Sequence, residues 1–374
     1  YIWYGNYKQS KNNETGGYNV EPIRWRVLYS DNGELFMLSD KILDVTQYNE
    51  TRTDLTWEWS AMRSWLNGYG GDSNIDNRDY GSDNFVDTAF TRVEKEGIKV
   101  STVKTDDYPY SSEDFPAPDG GNDTEDRLFL PAHEEVINET YGFEYNPIAT
   151  ADETREAEVT DYAAAGGRSG NAQDLRWLVY GLRSPSKFQN SVMYVNNYDG
   201  RPEVTSGYYV DSEVAVRPAC RLDKEMVLFT SAPGAKDTEF KKYKTVDSYT
   251  GNQWKATVYD DDRANFTARS IKRLKPETSG GTNQIKIEYS GAKTGATEHI
   301  SLLIADSTGA YTYYYRGASL AASEGVVQYD LPEDFDDANS TVYVFNEQFN
   351  WSDAEEDCLQ TDYASKLIEI NKNP

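Results

Sequence analysis

Residues 176–220, RWLVYGLRSPSKFQNSVMYVNNYDGRPEVTSGYYVDSEVAVRPAC, constrain this chain more than any other stretch. Two short signatures, Leu182-Arg183-Ser184-Pro185 and Val216-Arg217-Pro218-Ala219, bracket residues 186–215, which are rich in Tyr, Asn, Ser and Asp. The brackets read as framework: Trp177 packs in a core, and Arg183 and Arg217 are internal, paired guanidiniums. In the filling, Met193 and Val195 alternate with Tyr194 and Asn196, so one set faces a core and the other faces out. Tyr198-Asp199-Gly200 is turn-like, and Tyr208-Tyr209 lies on the return limb. Tyr, Asn and Ser are the residue types of a binding face, pairing rigid amphipathic rings with adaptable hydrogen-bonding groups. The competing reading is that they merely reflect a Tyr- and Asn-rich chain.

A chain of 374 residues has room for two ordinary domains. Its 29 Tyr, 13 Phe and 8 Trp supply large buriable areas although hydrophobic residues make up only 38%. The 37 Lys+Arg against 63 Asp+Glu give a net charge of −26, which disfavours nucleic acid and anionic membrane surfaces as partners. Cys220 and Cys358 are too few for a disulfide framework. No apolar run approaches the roughly 18 residues of a membrane span, so no membrane insertion is expected. The chain opens inside patterned sequence (YIWYGNYKQ), which reads as a mature chain whose leader or anchoring segment has been removed.

The first part mixes strand-like runs, short helices and long acidic loops. Residues 22–29 alternate as a half-buried strand, Asp31-Asn32-Gly33 turns, and Leu35 to Leu38 returns as the partner of a hairpin. Trp57 to Asn67 reads as a helix with Met62, Trp65 and Leu66 on one side and Gly68 as its C-cap. Val159 to Ala165 reads as a short helix. From about Leu222 the pattern changes to alternating strands with turn signals between them: 253–259, 284–289, 299–305, 311–316, 326–331 and 341–347. Two domains are expected, residues 1–222 and residues 223–374.

Catalytic constellations are scarce. Two histidines, His133 and His299, fall in different candidate domains, and no Gly-x-Ser-x-Gly elbow occurs. With 63 acidic residues, paired glycosidase carboxylates cannot be singled out. No Cys/His cluster suits zinc, and no glycine-rich phosphate loop is present. Calcium is the metal to consider: Asp72, Asn74 and Asp76 alternate hard oxygen ligands, although Asn77 stands where a calcium loop needs Gly, and a solvated acidic loop is the competing reading. No other cofactor is expected.

Several pieces in order carry a resemblance: Tyr4-Gly5-Asn6-Tyr7, Pro22-Ile23-Arg24-Trp25, Leu38-Ser39-Asp40-Lys41, Thr56-Trp57-Glu58, Arg63-x-Trp65-Leu66-Asn67, Phe129-Leu130-Pro131 and the two Arg-Pro signatures. Over about residues 1–222 the chain resembles a bacterial extracellular domain with a C-type-lectin-like fold. That domain is distantly similar to formylglycine-generating enzymes and to the variable proteins of diversity-generating retroelements. Val179-Tyr180-Gly181 departs from the usual bulky aromatic before Leu-Arg-Ser-Pro, and the redox cysteine pair of the enzymes is missing.

The resemblance implies an α+β C-type-lectin-like domain followed by an all-β immunoglobulin-like sandwich, secreted or at a cell surface. It implies non-catalytic, adhesin-like recognition of a protein or glycan ligand. The ligand-binding residues would then be Tyr180, Phe188, Asn190, Tyr194, Asn196, Asn197, Tyr198, Arg201, Tyr208 and Tyr209. Two alternatives stay open: a secreted glycan-processing or formylglycine-generating-like enzyme, and a structural stalk module.

Overall fold

The computed structural model describes residues 1–31, 33–110, 116–145, 152–170, 179–196, 202–233, 244–245, 250–281, 283–351 and 358–374. The chain divides into two compact units, Tyr1–Lys224 and Glu225–Pro374, two residues beyond the boundary expected at 222. Among the described residues strand far outweighs helix, so the fold is largely β, and the helical share of the α+β expectation shrinks to short pieces.

In the first unit, one antiparallel sheet runs Ile2–Lys11, Tyr18–Ser30, Glu34–Ser39, Ala219–Asp223, Leu128–Phe129. A five-stranded sheet runs Glu203–Tyr209, Ser191–Asn196, Val179–Pro185, Glu213–Val216, Asp44–Gln47. Its Val179–Pro185 and Glu213–Val216 strands are parallel, with Tyr180 opposite Ala215. The two Arg-Pro signatures therefore end neighbouring strands.

The helix expected over Trp57 to Asn67 is a 3-10 turn, Trp57–Trp59, followed by an α-helix, Ala61–Asn67. Ser60 separates them because its hydroxyl accepts the Arg63 amide and caps the second helix. Gly68 closes that helix in the left-handed conformation (φ 72°). Likewise, Glu158–Val159 is strand, and Thr160 caps a helix confined to Asp161–Ala164.

Much of this unit is irregular chain, whose carbonyls have no ladder to join and must find donors elsewhere. Guanidinium groups supply them. Arg26 donates to the Thr154 and Gly142 carbonyls (2.7 Å each). Arg155 donates to Val136 (2.8 Å) and Glu144 (2.7 Å). Arg183 donates to Lys104 (2.9 Å) and Leu130 (2.8 Å) and forks onto Glu135 (2.7 and 2.9 Å). Arg217 donates to Ser39 (2.8 Å) and Arg155 (2.9 Å).

Asp44 is a buried carboxyl at the edge of the five-stranded sheet. It accepts the Tyr7 hydroxyl (2.5 Å) and the Val45 and Arg168 amides (2.7 and 2.6 Å). The Arg168 amide reaches it because Gly167 (φ 50°) carries no Cβ, which would overlap the carboxyl. Burial pushes the Asp44 pKa up to about 6 in spite of these donors. A folded-state value above the unfolded one means that stability is full below about pH 4 and falls as pH climbs to 6, by about 3 kcal/mol. Asp44→Asn keeps an acceptor for both amides and turns its NH₂ toward the Tyr7 oxygen. The variant is expected to gain about 1–3 kcal/mol over wild type at pH 7 and to lose that advantage at pH 4. Parallel pH profiles in denaturant titrations of the two proteins would refute this.

In the second unit, the larger sheet runs Lys244–Thr245, Tyr311–Leu320, Gly295–Ala305, Thr341–Gln348, Asp362–Ala364, Trp254–Tyr259; Val227–Ser231 pairs with the last strand, and Ile368–Glu369 with Thr341–Gln348. A three-stranded sheet runs Thr267–Leu274, Gln284–Ser290, Gly325–Asp330. Side chains of both sheets share one core: Ile285 and Ile287 from the small sheet, and Ile300, Leu302, Ile304, Val342 and Val344 from the large one. The other face of the large sheet buries polar groups. Glu347 accepts the Ser301 and Tyr314 hydroxyls (2.7 and 2.5 Å), and Lys255 pairs with Asp362 (2.9 Å).

Candidate functional site

Strand Ser191–Asn196 sorts its side chains by parity. Met193 and Val195 are buried among Val204, Ala215 and Leu182, while Tyr194 and Asn196 are half-buried on the opposite face. Opposite them, Thr205 pairs with Tyr194 and Glu203 with Asn196. The register then shifts, so that Ser206 faces Met193 and Tyr208 faces Val192. The extra residue is Gly207 (φ 101°), a backbone angle that L side chains rarely adopt. This bulge puts Tyr208 on the same face as Tyr194, with ring centroids 5.3 Å apart. The Tyr208 hydroxyl donates to the Glu213 carbonyl (2.6 Å), which fixes its ring.

At the end of the same hairpin, Phe188 is 51% exposed and Tyr209 40%. The Arg52 guanidinium lies 3.9 Å above the Tyr209 ring and pairs with Asp211 (2.9 Å). Lys187 reaches over Phe188 at 5.3 Å. Asn190 is half-buried, and its carbonyl accepts the Val210 amide (3.2 Å). The hairpin is laced to three other loops. Gln189 exchanges backbone and side-chain bonds with Leu55 (3.0 and 3.1 Å), and its amide group both accepts from Asp119 N (2.8 Å) and donates to Asp119 O (2.9 Å). Asn49 N donates to Val210 O (2.8 Å), Glu50 N to Asp76 Oδ2 (2.9 Å), and Ile75 N to Trp59 O (3.0 Å).

Not every residue of the expected set sits on this surface. Tyr180 is 0% exposed and its hydroxyl donates to the Arg155 carbonyl (2.9 Å), so it belongs to the core beneath Arg217 and cannot meet a ligand. Its neighbours on a strand buried on both faces leave it no outward side. Asn197, Tyr198 and Arg201, with Trp177, lie outside the described residues.

Of the expected calcium ligands, Asn74 and Asp76 are engaged by backbone groups of the loops. Asn74 is buried and closes its own loop, accepting the Arg78 amide (3.0 Å) and donating to the Arg78 carbonyl (2.8 Å). Asp76 holds the Glu50 amide, and Asp72 is exposed. Asn74 and Asp76 are engaged in this way because short polar side chains staple irregular loops. Among the described residues, acidic ligand atoms gather within 4.8 Å of one another only at Asp260, Asp261 and Asp262, where Asp260 already pairs with Arg263.

The residues that the sequence reading passed over are Trp59 (46% exposed) and Ile75 (44% exposed), with Arg52. Trp59 carried no signal, because it stands three residues before Met62 and seven before Leu66, on the apolar stripe of the expected helix. On the catalytic side, burial drives the Cys220 thiol far up, away from a nucleophile's range. Framework, bulged sheet face and laced loops together make unit 1 a scaffold that presents aromatic side chains. The chain belongs to the family of a domain of unknown function (DUF6273), whose model matches residues 32–224 and ends where the first unit ends. No curated protein and no solved structure matches the chain.

Proposed function

We propose that the chain is a non-catalytic recognition protein, secreted or displayed on a cell surface, that binds a protein or glycan ligand through a C-type-lectin-like first unit. The second unit, on this reading, is an immunoglobulin-like spacer. The observation that carries the reading is the Gly207 bulge, which aligns Tyr194, Thr205 and Tyr208 on one accessible face while Met193, Val195 and Val204 fill the core. A strand carried through without the bulge would turn Tyr208 inward. Asn196 continues that face along the strand, while Phe188, Asn190 and Tyr209 stand at the strand's other end, where Tyr209 pairs with Ser191. The kinship to variable binding proteins remains part of the proposal and rests on the quoted signatures.

Replacing Phe188, Tyr194, Asn196 and Tyr209 together with alanine is expected to weaken ligand capture by at least about 100-fold, since aromatic anchors dominate such interfaces. The melting temperature should move little, because none of the four is fully buried. Glycan arrays and surface-protein panels read the first outcome and calorimetry the second. Undiminished capture by the quadruple variant would remove this face from the proposal. Turnover of a glycan that is lost on neutralising one carboxylate would favour the enzymatic alternative.

A further inference from the structure

We propose that the loop end of the first unit docks a polypeptide segment carrying lysine or arginine side chains. The proposal rests on the recognition reading above and names its partner. Four large apolar side chains, Trp59, Ile75, Phe188 and Tyr209, are each 40–51% exposed there. They stand on loops held together by the Gln189, Asn49, Glu50 and Ile75 bonds. Fixed apolar groups left in water on a laced surface mark an interaction site.

Charge selects the occupant. Arg52 is committed to Asp211, Arg78 to Glu50, and Lys187 to the face of Phe188. Asp54, Glu58, Asp76 and Asp119 have no ion-pair partner among the described residues; Glu58 accepts the Asn122 amide (3.0 Å), and Asp76 the Glu50 amide. The surface therefore combines uncompensated carboxylates with exposed rings. A lysine or arginine side chain matches both, since its aliphatic stem covers apolar surface while its head reaches a carboxylate or a ring face. The rings already behave as cation seats toward the chain's own Arg52 and Lys187. Among the described residues no cation lies over Trp59, whose ring is open to an incoming one. Polyanions are repelled, and a neutral sugar leaves the four carboxylates uncompensated.

The test is calorimetric titration of the full chain with a synthetic decapeptide of alternating Gly and Arg, an alternating Gly and Glu decapeptide, and a neutral hexasaccharide. The cationic peptide should bind, and its affinity should fall at least tenfold between about 0.05 and 0.5 M salt as the Debye length shortens. Trp59→Ala with Phe188→Ala should cost at least tenfold, and Asp54→Asn with Glu58→Gln at least threefold. The charge-matched control Glu14→Gln with Glu156→Gln, on exposed residues elsewhere in the unit, should change nothing.

Equal losses in the control would reduce the effect to bulk attraction by an acidic protein and overturn the proposal. So would the absence of peptide binding, or equal binding of the acidic peptide. Hexasaccharide binding that depends on Trp59, or a ligand mapped only to Tyr194 and Tyr208, would leave the recognition reading standing while this partner assignment falls.

Discussion

Arg217→Met is expected to destabilise the first unit by about 3–5 kcal/mol, with a fall of about 10 °C or more in its melting temperature. Arg217 is buried, donates to the Ser39 and Arg155 carbonyls (2.8 and 2.9 Å) and reaches the Tyr180 hydroxyl (3.2 Å). Among the described residues no carboxylate lies within ion-pair distance of it, so the loss is not that of a salt bridge. It is the cost of stranding buried acceptors, about 1–3 kcal/mol each, while methionine roughly preserves the packing volume. Arg217→Lys should fall between, because one ammonium cannot span both carbonyls as the planar fork does. Denaturant titration gives the ranking; a methionine variant within 1 kcal/mol of wild type would show that the clamp is dispensable.

The second large effect concerns pH and the second unit. Glu347 is buried between the Ser301 and Tyr314 hydroxyls, beside Asp362, and burial lifts its pKa to about 7. Its cross-strand partner His299 donates from Nδ1 to the Gly317 carbonyl (2.9 Å), and burial lowers its pKa to about 4. The two signs oppose. A carboxyl with a raised folded pKa loses stability as pH climbs from about 4.5 to 7. A histidine with a lowered one gains stability from about 4 to 6.5. Each arm is worth about 3 kcal/mol at about 1.4 kcal/mol per pH unit, so the wild-type contribution is nearly flat over the shared window. Glu347→Gln removes the falling arm. Its stability should climb by about 3 kcal/mol between pH 4.5 and 6.5, and above pH 7 it should exceed wild type by a similar amount. Stability curves measured every half pH unit check this, and a flat profile for the variant would contradict it.

How much of this was legible depends on whether a signal was local. The alternation of Met193, Tyr194, Val195 and Asn196 could be read because strand parity is a two-residue property. The six strands expected beyond Leu222 all occur, within a few residues at their ends, for the same reason. Thr267–Leu274 escaped notice because its mixed charged sequence lies mostly in solvent and shows no apolar face. Tyr180 looked like its neighbours Tyr194 and Tyr208, since only the tertiary position of Arg155 decides that its hydroxyl is spent internally. Asn74 is ambiguous in the same way: a carboxamide that staples a loop has the composition of one that binds calcium. Gly207 was visible as a residue but not as a bulge, because a bulge is defined by the strand opposite.

The arginine clamps have a consequence for how such a chain can change. Arg26, Arg155, Arg183 and Arg217 grip main-chain oxygens, which are present whichever side chain the gripped residue carries. Exchanging residues in the fastened loops should thus leave the grip intact. Adding or deleting one residue moves a carbonyl by about 3.8 Å, beyond hydrogen-bond reach of a guanidinium fixed in the core. Loop length, more than loop lettering, is what inheritance must preserve here, and grafted loops of native length are the ones this scaffold should accept.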